Sequence, residues 1–152
     1  MFNALPPITN PIVFRASAVL LGANAWDVTP TVVACPQQSK MVLYISYTRG
    51  AAGGWMDFQI QVSPYSVDPA LGAVWFTQTE YSAAVLAAGV DSASRIQREY
   101  ITYQATAAAI ESFVYGPVDL GAGVERVRVT CREGSGVAVG IAHVVGIVYS
   151  PQ

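Results

Sequence analysis

Arg126, Arg128, Thr130 and Arg132 fall on every second position and alternate with Val127, Val129 and Cys131, so in an extended segment they line one face. A guanidinium binds a carboxylate through two parallel hydrogen bonds, which makes the stripe a candidate grip on acidic groups across an interface. Its alternative is a solvated strand face. Arg95 and Arg98 would point to opposite faces of a strand and cannot both join it. His143 is the only histidine and shares a period of two with Val139, Ile141, Val145 and Ile147, which predicts a core position whose polar tip bonds to backbone. A Ser-His-Asp arrangement would need an activated serine beside it. Ser135, in Gly134-Ser135-Gly136, reads as a turn and lacks the Gly-x-Ser-x-Gly elbow. Cys35 and Cys131 with one histidine fall short of a zinc ligand set; two buried free thiols are expected, with a single bridge as the alternative. Asp57, Glu99 and Glu125 are the carboxylates a sandwich could bring together for glycoside hydrolysis, although the outer face of a strand is their default home. Gly121-Ala122-Gly123 precedes a strand where a dinucleotide site needs a helix. No enzyme activity, cofactor or metal is expected.

The composition points the same way. Charged residues make up 12% of the 152, against roughly a quarter in an ordinary soluble domain, while 53% are apolar and one is a lysine. Mixed charges keep free proteins apart in water, so a surface this poor in them suits a subunit covered by partners. The net charge of −2 argues against a general nucleic-acid binder, which needs a surplus of Lys and Arg for its phosphate contacts, and leaves room only for weak, local anion contacts. No apolar run approaches the roughly 18 residues a membrane-crossing helix requires, and no membrane partner is expected. Arg15, the apolar run from Ala16 to Leu21 and Ala23-Asn24-Ala25 imitate a secretory leader, but the run is short and Pro6, Pro7 and Pro11 precede it.

The elements that must position these groups are strands. Met56, Phe58, Ile60 and Val62 alternate with Asp57, Gln59, Gln61 and Ser63, which predicts a half-buried antiparallel strand with the first set in the core. Met41 to Arg49 reads as a strand joined to it by Gly50-Ala51-Ala52-Gly53-Gly54, giving a hairpin; Val124 to Arg132 and Val137 to Tyr149 read as a second hairpin. Further strands are expected at Ile12 to Leu20, Thr31 to Cys35, Val74 to Glu80, Arg95 to Thr106 and Glu111 to Leu120, with a helical turn in either Tyr81 to Ala88 or Ala105 to Ile110. About eight strands at short spacing predict an all-β, antiparallel β-sandwich or a barrel. Residues 1–12, with Pro6, Pro7 and Pro11, read as an extended arm lying on a neighbour, and 13–152 as one domain. Trp55, directly after the glycine-rich loop, is a candidate exposed anchor, since Trp is favoured at interfaces.

Three passages, Tyr47-Thr48-Arg49-Gly50-Ala51-Ala52-Gly53-Gly54, Gln61-Val62-Ser63-Pro64-Tyr65-Ser66-Val67-Asp68-Pro69 and Ser94-Arg95-Ile96-Gln97-Arg98-Glu99-Tyr100, resemble segments of small virion proteins of tailed bacteriophages. The resemblance implies a jelly-roll-like subunit, made in the host cytoplasm and built into the virion, that decorates or cements a capsid or sits in the neck or tail, commonly as a trimer. Its partners would be copies of itself and a major capsid or other virion protein. It supplies no functional residues; Pro6, Pro7, Trp55, Arg126, Arg128 and Arg132 are the interface candidates from the residues themselves. The competing expectation is a carbohydrate- or receptor-binding sandwich with exposed aromatic side chains as its platform.

Overall fold

A computed structural model describes residues 10–22, 24–70, 74–78, 80–81 and 97–151. Pro6, Pro7 and the arm up to residue 9 lie outside the described residues, as does nearly all of the segment from Tyr81 to Ala88. The strands are β1 (Ile12–Val19), β2 (Val32–Ala34), β3 (Lys40–Thr48), β4 (Trp55–Ser63), β5 (Phe76–Thr77), β6 (Glu80–Tyr81), β7 (Gln97–Arg98), β8 (Ile101–Gln104), β9 (Glu111–Asp119), β10 (Arg126–Glu133) and β11 (Ile141–Tyr149). Among the described residues there is no helix. Nine of the described strands form two antiparallel sheets, one ordered β1-β11-β3-β9 and the other β2-β10-β4-β5, with β8 also on β4; β6 and β7 pair with each other.

The fourth place of the second sheet is shared by two short strands. β5 pairs with Gln61 and Val62 of β4, and β8 with Trp55 to Phe58 of the same strand. Counting β5 and β8 as one strand, the chain visits the two sheets alternately from β1 to β4, crosses back to the first at β9, and then adds β10 and β11 to the interior of each sheet. Eight strands wound in this order make a jelly-roll sandwich.

Both expected hairpins are absent. β3 pairs with β11 and β9, while β4 pairs with β10, β5 and β8; likewise β10 and β11 lie in different sheets. Each glycine-rich connection therefore arches from one sheet to the other. Alternation could not reveal this, because two strands facing each other across a core about 10 Å thick carry the same pattern as two strands side by side. The arches pack together at one end of the sandwich. A Cβ on Gly50 would overlap the carbonyl oxygens of Ala138 and Val139, and one on Gly140 would overlap the Thr48 carbonyl and the Tyr47 ring. These glycines serve close approach between two backbones rather than turn flexibility.

Glu133 fastens this end. It is fully buried and accepts hydrogen bonds from Tyr47 Oη (2.9 Å), the Gly140 N–H (3.0 Å) and the Ser135 hydroxyl. Ser135 is thus a structural hydroxyl holding the arch. On β1, the edge strand of the four-stranded sheet, Arg15 donates to the Ala18, Val19 and Ala142 carbonyls and to Asp27, whose carboxylate also accepts the Cys131 N–H. Two register shifts in β1 make room for it. Such bulges and an inward-turned charge blunt an edge against unwanted pairing. Ala105 to Ile110 forms no helical turn. Its bends are closed by Glu111, which accepts from the Thr106 and Ala107 N–H groups and from the Thr106 and Tyr103 hydroxyls, and these bonds, led by Tyr103, pull the Glu111 carboxyl down to about 2.

The core lies between the sheets. Met56, Phe58 and Ile60 are buried in it and Val62 packs against it, as the alternation requires, together with Phe14, Met41, Leu43, Ile45, Val127, Val129, Val144 and Val148. Asp57 and Ser63, expected to face water, are also buried. Cys35 and Cys131 are free thiols in this core. Burial is the main reason both thiols and the Tyr47 hydroxyl are pushed up, Cys35 from 9.0 to about 11. A group that holds its proton longer in the folded state stabilises the fold fully below its unfolded pKa, and that contribution is lost as pH rises through the folded value. The urea midpoint is therefore expected to be flat from neutral pH to about 9 and to fall between pH 9 and about 11. An unchanged midpoint across that window would show that these groups ionise freely in the folded protein.

Candidate functional site

The stripe predicted on β10 exists, on the outward face of the second sheet. The acidic partners it takes are in the same chain. Arg126 donates to Asp68 Oδ1 (2.6 Å) and to the Tyr65 carbonyl (2.6 Å), and Arg132 to Asp57 Oδ2 (2.9 Å), while Thr102 Oγ1 donates to the other oxygen, Asp57 Oδ1, at 2.7 Å. Between them Arg128 donates to Gln61 Oε1 (2.7 Å). Aromatic rings from the loops lie over the guanidiniums. Arg128 and Arg126 sit 4.3 and 5.1 Å from the Trp75 ring centre, and Arg132 sits 4.4 and 4.8 Å from those of Trp26 and Tyr100. Burial lowers the Arg128 pKa from its ordinary value; Asp68 opposes this and Arg126 adds to it.

This arrangement corrects both readings of the stripe. The Arg126 and Arg132 side chains are only 13% and 17% exposed, so the stripe is neither a solvated face nor an open grip on a partner. It is an internal lattice of ion pairs, amide contacts and stacked rings that binds the long loops to the sheet. The carboxylates that complete it come from distant parts of the chain, and no local spacing in the sequence could announce them. Since the Asp57 side chain is 3% exposed, Arg132→Ser strands a buried charge, and about 2–4 kcal/mol of folding stability should be lost. Chemical denaturation measures this; an unchanged midpoint would return the arginine to the solvated class.

Trp55 is half-buried at the start of β4, against the β10–β11 arch, where its carbonyl accepts the Gly134 N–H at 3.0 Å. A Cβ on Gly134 would press on its indole nitrogen. The exposed-anchor expectation is therefore replaced by a packing role. Of the candidate carboxylates, Asp57 is committed to Arg132 and Thr102, while Glu99 is exposed and Glu125 half-buried. Among the described residues no three His, Cys, Asp or Glu side chains group as a metal site would require.

The opposite side of the sandwich is chemically different. On the outward face of the four-stranded sheet the register aligns Val13, Val145, Tyr44 and Val114 in one row and His143, Ser46 and Ser112 in the next. Tyr44 is 45% exposed and Val114 60%. Ser46 and Ser112 share a hydrogen bond of 3.0 Å on the floor of a hollow of about 230 Å³ bounded also by Tyr44, Val114, His143 and Val145. Lys40 and Asp119 pair at 3.1 Å at one end of the face. From there to Thr48 the outward positions of β3, and those of β9 and β11 beside them, carry no carboxylate, lysine or arginine.

His143 thus belongs to the outward face, against the core position expected for it. The inward set of β11 is Ala142, Val144, Gly146 and Val148, and the outward set keeps Ile141, Val145 and Ile147 with His143. Both faces of this strand are apolar, so alternation alone could not choose between them. Phe14 chooses: its ring lies where a Cβ on Gly146 would stand, which places Gly146 and every second residue from it inside. Comparison with protein-family models, with curated proteins and with solved structures finds no match to this chain.

Proposed function

We propose that the chain is a structural subunit of a tailed-bacteriophage particle, a capsid decoration protein that stabilises the shell through many equivalent protein contacts. The observation that carries this reading is the uncharged outward face of the four-stranded sheet, which leaves Val13, Tyr44, Val114 and Ile141 open to water on one surface. Val13, Tyr44 and Val114 lie in one row across the sheet, and adjoining exposed apolar side chains mark an interaction site in a soluble protein. The low overall charge and the phage-like passages support the same role, and repeated binding on a shell supplies retention that one modest contact would not. The jelly-roll fold is compatible with it but hosts lectins as well as capsid proteins, so the surface has to decide. Guanidiniums cover one face of Trp26 and of Trp75, which leaves, among the described residues, Tyr44, Tyr65 and Phe76 as the exposed rings a sugar platform would use.

Immunogold electron microscopy of phage particles, with antibody raised against the purified chain, tests the proposal. Regular labelling of the capsid is the expected result, and labelling of the neck or tail would move the subunit within the particle. Unlabelled particles together with dose-dependent binding on a glycan array would overturn it in favour of a carbohydrate-binding module.

A further inference from the structure

The outward face of the four-stranded sheet carries a projection and a recess side by side. Tyr44 stands 45% exposed at the rim of the hollow floored by Ser46 and Ser112. A patch that pairs with itself about a two-fold axis needs this combination, because the axis seats each projection in the other copy's recess. Charge points the same way. Like faces repel when charged, and the outward positions of β3, β9 and β11 between the Lys40–Asp119 pair and Thr48 carry no charged side chain. Area is also sufficient. Four strands spaced about 4.8 Å apart, with about 3.3 Å per residue, give the whole nine-residue face, β1 and the Lys40–Asp119 row included, roughly 600 Å². Two copies would cover roughly 1,200 Å², the lower end of specific protein interfaces.

We infer that a second copy of this chain docks on that face, sheet against sheet, with each Tyr44 in the partner's Ser46–Ser112 hollow. The inference rests on the reading of the chain as an assembling subunit and names the partner of its uncharged surface. A face paired with itself closes as a dimer, in place of the trimer that the phage resemblance implies.

Sedimentation equilibrium of the purified chain at micromolar concentrations tests this. The wild type is expected at twice the chain mass. Val114→Glu puts a carboxylate on both sides of the contact, and Ser46→Trp fills the hollow; each should weaken association at least about tenfold. Val67→Glu, in the β4–β5 loop, should leave it unchanged. Circular dichroism and melting of each variant report folding, and Tyr44→Ser, which removes the projection, serves where either of the first two fails to fold. A monomeric or trimeric wild type, or a dimer indifferent to substitutions on this face, overturns the inference. Labelled particles with a monomeric chain would sink the dimer and leave the decoration role, while a dimer with unlabelled particles would do the reverse.

Discussion

Replacing Glu133 with alanine should cost about 3–5 kcal/mol of folding stability, the range expected when a buried polar network loses its central partner. Its carboxylate collects the Tyr47 hydroxyl, the Gly140 N–H and the Ser135 hydroxyl at a place where Glu133 itself is 1% exposed. Removing it leaves three donors facing an apolar space, two of them on the arch that joins β10 to β11. Water cannot replace the acceptor without opening the packed end of the sandwich. For a chain of this size the loss corresponds to a melting midpoint lower by roughly 10 °C. Glu133→Gln keeps the shape and one acceptor oxygen, and should lose about half as much. Differential scanning calorimetry of the two variants checks both figures. A Glu133→Ala midpoint within about 2 °C of the wild type would mean the three donors find partners elsewhere.

The residues that make this network show where sequence reasoning reached and where it stopped. Strand positions were legible because β-branched and aromatic runs are bounded by glycine and proline, and most expected segments have a counterpart within a few residues. The single stripe of Arg126, Arg128 and Arg132 was legible for the same reason, since period two needs only the strand to be true. Pairing was not legible. Whether β3 lies beside β4 or across from it depends on contacts with β11, nearly a hundred residues away. The roles of polar residues were hidden by the same distance. Asp57 reads as a solvent-facing neighbour of Phe58 until Arg132 and Thr102 arrive from β10 and β8 to enclose it. His143 was misplaced because nothing within β11 distinguishes its two apolar faces, and the deciding group, Phe14, belongs to the other end of the chain.

Phe58 is where the two sheets depend most on one side chain, and Phe58→Ala should cost roughly 3–5 kcal/mol. Its ring is fully buried and meets Tyr115 edge-on at 5.2 Å, with Phe113 tilted at 6.3 Å. Phe113 in turn stacks on Tyr103 at 4.0 Å. The cluster therefore joins β4 and β8 of one sheet to β9 of the other, and a truncated residue 58 leaves a cavity bounded by rings on β9. Those rings cannot follow into the space without pulling β9 from β3, so little of the cavity should collapse and the cost belongs at the upper part of the range. Phe58→Leu, which keeps most of the volume but gives up the edge-to-face contact, should lose less, about 1–2 kcal/mol. Equilibrium urea denaturation with a constant slope measures both. If Phe58→Ala costs under about 1 kcal/mol, the aromatic cluster is loosely packed and the sheets are held by the arches and their Glu133 network instead.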